Sequence, residues 1–272
     1  MRFALLVEDY HDELIVLGIV LAVVGSTTSG LGMNLMKASS RLEQHMPWWR
    51  RKRFIVGVSL ATFVNSILDL VAFALTPLSI IAPIGGVAII ASVLFARYGC
   101  AGEPETVCAV QWAAIVAVVS GVAIVTTCGP HPEPVLSTTV VLDHFHEASF
   151  MLYQFATFCA LTALYAGICM RKLGGPTLET TIAAAIVSGM CSGVTQTMMK
   201  VMATCFADFA ITHYLPFWHP EFWIALVELV CVAVVLLHTL NMCLASANIA
   251  LATPIYQTAV IVFTITAGCA FY

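Results

Sequence analysis

Along this chain, long apolar runs alternate with short polar stretches, and the runs are continuously apolar rather than apolar at every second position. A continuous run of about 20 apolar residues forms a helix that crosses about 30 Å of hydrocarbon, whereas a membrane barrel strand would alternate. Eight stretches qualify, near 13–37, 54–76, 78–98, 107–127, 148–170, 180–204, 219–244 and 249–272. The pattern predicts an all-α membrane protein with eight transmembrane helices in a single transmembrane domain, 1–272.

Composition agrees with this reading. Hydrophobic residues make up 60% of the 272 positions and charged ones 10%, with a mean hydropathy of +0.96. Soluble chains carry about a quarter charged residues, so a surface this apolar must meet lipid. The net charge of −4 excludes a nucleic-acid partner, which needs a basic face. The N-terminal run Phe3 to Val7 is too short for the apolar core of a signal peptide, and Glu8, Asp9, Asp12 and Glu13 follow it.

Lysine and arginine set the expected orientation. The first connection carries Arg41, Arg50, Arg51, Lys52 and Arg53, and Arg97 and Arg171–Lys172 continue the pattern on odd-numbered connections. The loops Cys128–Glu147 and Cys205–Pro220 hold neither residue. The odd loops are therefore expected on the cytoplasmic side, with the N-terminus non-cytoplasmic and the type of membrane undetermined. Most of the ten cysteines lie inside apolar runs and act as small hydrophobes. Cys128 and Cys205 sit near loops on the same expected side, which leaves a bridge between them open.

The chain also repeats itself. Ser29-Gly30 leads to Met36-Lys37 in the first span as Ser192-Gly193 leads to Met199-Lys200 in the sixth. Ile81-Ala82-Pro83-Ile84 in the third span answers Ala252-Thr253-Pro254-Ile255 in the eighth. A five-helix unit (about 13–170) followed by a partial copy (about 178–272) must place the copy upside down, because five is odd. Inverted repeats of this kind mark secondary transporters with a site between the halves. Gly25 and Ser29 in span one, and Ala185, Gly189 and Gly193 in span six, offer faces for close helix packing.

The stretch Leu240-Asn241-x-x-Leu244-x-x-x-Asn248, then Pro254-Ile255-Tyr256 before Thr264 and Thr266, resembles the NIPA-type magnesium transporters of the drug/metabolite transporter superfamily. Ala72-Phe73-Ala74-Leu75-Thr76-Pro77 with Ala82-Pro83-Ile84-Gly85-Gly86, and the Lys37 and Lys200 pair, extend the similarity along nearly the whole chain. There are departures. Ser66 and Asp69 stand where the family carries a Glu-and-Asn pair, and Gln257 replaces a second tyrosine. The family pattern adds a ninth helix after a K-E/D-W turn, while this sequence ends at Tyr272, so either the chain is truncated or the fold does without that helix.

The resemblance implies a carrier of magnesium or a similar divalent cation, with Mg²⁺ as transported substrate and no cofactor. The residues point the same way. Ionisable groups inside a membrane are costly and mark function by default. Asp69 in span two follows Asn65 by four residues and Thr62 by seven, on one helical stripe about 9 Å from the outer end. Glu228 lies about 13 Å into span seven and is expected to face Asp69 across the repeat axis. Mg²⁺ keeps several waters and uses one or two carboxylates, so Asp69, Glu228, Asn65 and Asn248 form the expected ion site. Asn34, Gln196, Asn241, Tyr256 and Gln257 are expected along the pathway, although lone amides also serve as helix clamps.

Lys37 and Lys200 are expected to snorkel to opposite interfaces. His238 and Asn241 are expected solvated at the cytoplasmic end. Asp143-His144-Phe145-His146 has the composition of a metal-catching loop, but a solvated loop fits it better. Pro83 and Pro254 are expected to kink repeat-related helices. No nucleophile–base pair or metal motif lies at membrane depth, which argues against an enzyme. Two rival functions stand beside a divalent-cation carrier: an organic-metabolite carrier of the same superfamily, and a non-transporting membrane scaffold. The oligomeric state is left open.

Overall fold

The structure, a computed structural model, describes residues 11–43, 45–76, 84–102, 104–128, 138–171, 178–213 and 215–271. Among them every regular element is helical. The main helices are α1 (His11–Leu42), α2 (Lys52–Leu75), α3 (Val87–Tyr98), α4 (Ala109–Cys128), α5 (Ala148–Arg171), α6 (Leu178–Thr212), α7 (Pro220–Ser246) and α8 (Ile249–Phe271). Six of these, α1, α2, α5, α6, α7 and α8, contain stretches long and apolar enough to cross a membrane. Apolar helices α3 and α4 occupy the places of the third and fourth expected spans. Pro83, which was expected to kink the third span, lies outside the described residues, as do Pro77 and Lys172.

The centre of the bundle is α6, whose most apolar window is 78% buried, against 6% for α2 and for α5. α6 packs along α7 and α8 and also touches α2, while α1 packs along α2 and α3 and also touches α7. α3 meets α8. Every one of these relations maps onto another, or onto itself, when α1, α2 and α3 are exchanged with α6, α7 and α8.

Small residues make this packing close. A Cβ added to Gly32 would lie 2.6 Å from the Gly57 carbonyl oxygen, and one on Gly57 2.8 Å from that of Gly32, so α1 and α2 touch backbone to backbone. A Cβ on Gly193 would meet the backbone of Phe263 and Thr264 at 3.0 Å, and Gly189 abuts Ala259. The small face expected on α6 therefore lies against α8.

Two irregularities matter later. α2 contains a π-helical segment at Ser59–Val64, just before Asn65. Its wider turn takes Thr62 off the strict α-helical stripe drawn through Asn65 and Asp69. Pro254 lies inside α8, as expected of a helix breaker, and supplies no N–H to the carbonyl of Ala250.

Replacing Gly193 by Leu would force α6 and α8 apart. A loss of about 1–3 kcal/mol is expected, as for other overpacked sites. A lower midpoint of thermal unfolding in detergent would register it, and an unchanged midpoint would refute the close contact.

Candidate functional site

Asp69 and Asn65 stand one helical turn apart on α2, and the Asn65 amide donates to the Asp69 carboxylate at 2.7 Å. Gly25 of α1 lies opposite them. A Cβ there would sit 3.0 Å from Asn65 Oδ1 and 3.4 Å from Asp69 Oδ1. The bare backbone of α1 thus leaves room beside a carboxylate that an apolar helix carries into the bundle. The Tyr256 hydroxyl, on α8, is within electrostatic reach of Asp69 and donates to Ser192 Oγ at 3.3 Å.

Glu228 has a different partner. It accepts a 2.7 Å hydrogen bond from the amide of Gln154 on α5. Its helix and that of Asp69 both pack on α6, and Leu229 and Leu70, the next residues in the chain, join one apolar cluster. The structure therefore joins Asn65 to Asp69 and Gln154 to Glu228. Gln154 was missed in the sequence, where an amide on a lipid-facing helix carries no signal without its acceptor.

Asn248 is exposed in the turn between α7 and α8, and its carbonyl accepts the backbone N–H groups of Leu251 and Ala252. It lies beside Ile249, which meets Glu105 near Lys37. Gly25 and Lys37 stand about 18 Å apart along α1 at 1.5 Å per residue, so Asn248 lies at the basic end of the bundle and Asp69 well inside it. Asn34 is buried and gives both amide hydrogens away, to the carbonyls of Gly30 and Ser92 at 2.9 Å each, clamping α1 to α3. Gln196 accepts from Thr264 at 2.9 Å, joining α6 to α8. Gln257 is buried on α8, Asn241 is half-buried on α7, and His238 is exposed there, as expected of a solvated residue.

Neither lysine snorkels. Lys200 is 9% exposed, and its ammonium donates to the carbonyls of Phe73 at 2.9 Å and Thr76 at 3.4 Å, at the C-terminal end of α2. Those carbonyls have no further turn to serve, and a cation there is also favoured by the helix dipole. Lys37 is 3% exposed and forms an ion pair with Glu105, with Arg41 at 3.6 Å from the same oxygen. An ammonium with partners inside the protein gains nothing by reaching for the interface. Glu105 was also missed, because it belongs to a loop. Gly99 ends α3 at φ 66, in the left-handed region open to glycine, and the chain then turns back so that Glu105 N–H bonds Ala96 O at 2.9 Å.

At the other end, Asp208 accepts from the Thr138 backbone and hydroxyl at 2.8 and 2.5 Å. His146 lies 3.0 Å from Glu221, and His144 lies 2.6 Å from the Val140 carbonyl. Among the described residues no group of three or more His, Cys, Asp or Glu is arranged to hold a metal ion. Cys205 is a free, fully buried thiol in the structure.

Lys200→Met would leave the two α2 carbonyls without their charged donor, at a cost of about 2 kcal/mol. The thermal midpoint should fall accordingly, whereas a snorkelling lysine would be replaced without loss.

Residues 13–272 match the family model described as Magnesium transporter NIPA. No curated protein and no solved structure matches the chain.

Proposed function

We propose, from the premise that the chain belongs to the NIPA family of magnesium transporters, that it carries Mg²⁺ or a similar divalent cation through the bundle by way of Asp69. The observation that carries this reading is the Asp69 carboxylate, steadied by Asn65 and facing the side-chain-free Gly25. A hard, strongly hydrated cation needs little more than one or two carboxylates and amide oxygens around its own waters. Asn65 belongs with Asp69 in this role. Glu228 and Asn248 are displaced from it by their own partners, and Tyr256 and Gln196 line the α6–α8 side of the route.

The basic end, with Arg41, Arg50, Arg51, Lys52, Arg53 and Arg97, faces the cytoplasm in this reading. Alternating access rests on an inverted repeat, supported by the exchangeable packing of α1–α3 and α6–α8 and by the two lysines. Lys200 of α6 sits at the C-terminal end of α2, and Lys37 of α1 lies close to Cys243, near the C-terminal end of α7. An organic-anion carrier is disfavoured, since both buried ammonium groups are engaged with protein oxygens.

In liposomes with a trapped magnesium reporter, Asp69→Ala is expected to lower Mg²⁺ entry at least about tenfold, the equivalent of about 1.4 kcal/mol of ion binding. Glu228→Gln is expected to retain most of the flux. Wild-type entry through the Asp69→Ala protein would remove the ligand.

A further inference from the structure

We propose that Glu105, Lys37 and Arg41 form a gate that closes the route at the basic end. The proposal rests on the transport reading above. Glu105 binds three groups on two other helices at once. Its carboxylate pairs with the buried Lys37 ammonium, lies 3.6 Å from the half-exposed Arg41 guanidinium, and accepts the Ile249 N–H at 2.9 Å. Lys37 and Arg41 belong to α1, Glu105 to the loop after α3, and Ile249 opens α8. The knot therefore ties α1 and the end of α3 to the start of α8.

A cleft of about 260 Å³ lies at the knot, lined by Asn34, Lys37, Arg41, Glu105 and Ile249 among others. One turn deeper on α8, the Thr253 hydroxyl is buried without a hydrogen-bond partner among the described residues. Polar groups thus continue inward behind the knot, with Asn34 buried on α1 and Thr253 on α8. The tie at the other end is different in kind, because Lys200 holds the backbone carbonyls of Phe73 and Thr76 rather than a carboxylate. Glu105 can exchange its ammonium for another cation. A divalent ion leaving the bundle would meet this carboxylate at the mouth and would have to displace Lys37, which couples exit to opening.

Cys243 reports on the gate. It is fully buried on α7, close to Lys37, while Cys205 is fully buried at the opposite end. Proteoliposomes are treated with a small maleimide, and labelling of each cysteine is read from its peptide. Glu105→Gln keeps an acceptor for Ile249 N–H and removes the charge, and Lys37→Met removes the cation. Either is expected to speed labelling of Cys243 about tenfold, corresponding to about 1.4 kcal/mol, with Cys205 still protected. Wild-type labelling of Cys243 in both variants overturns the gate. So does equal acceleration at Cys243 and Cys205, which would report general loosening. Labelling is measured without magnesium, so its outcome is independent of the flux experiment that tests Asp69.

Discussion

The two helices α1 and α6 each bring a lysine into the protein interior, where an ammonium without partners would cost several kcal/mol. Both are satisfied by groups from other elements: Lys200 by the carbonyl end of α2, and Lys37 by a carboxylate folded back from the end of α3. Lipid offers no water to substitute for these oxygens. The positions of α2, α3 and α8 relative to α1 and α6 are therefore fixed by charge as well as by shape. The glycine contacts act with this constraint. Gly32 against Gly57 and Gly193 against α8 bring the backbones close enough for short polar links to span the gaps.

The architecture was largely legible in the sequence because lipid imposes a simple demand. Continuous apolar runs must become helices, and the long runs did. The Ser-Gly and Met-Lys pairs that α1 and α6 share hold glycines that make helix contacts and lysines that bind other elements. What the pattern could not show was the π-helical segment of α2. Apolar residues tolerate either hydrogen-bond register, and nothing in Ser59–Val64 marks the wider turn by composition.

The polar residues were less legible, since an amide or carboxylate reads the same whichever neighbour it meets. Asn65 and Asp69 were legible as a pair because their spacing along one helix brings them together. Glu228 and Asn248 were not. Their partners, Gln154 on α5 and the opening turn of α8, depend on tertiary placement. Lys37 followed a general tendency of lysine in membranes until a loop acid, placed by the left-handed Gly99, supplied a nearer counter-charge. Long-range pairing across a turn leaves no periodicity in the chain.

The wide turn in α2 has a geometric consequence. A π-helical stretch holds about one residue more than the α-helical ladder on either side requires. Were the chain one residue shorter between positions 59 and 64, the ladder would close as plain α-helix. The segment carrying Asn65 and Asp69 would then be turned by about 100°, the angle of a single residue, and its acid would face away from Gly25. The aim of that acid is thus encoded in a count of peptide units, a property that substituting any one side chain leaves intact.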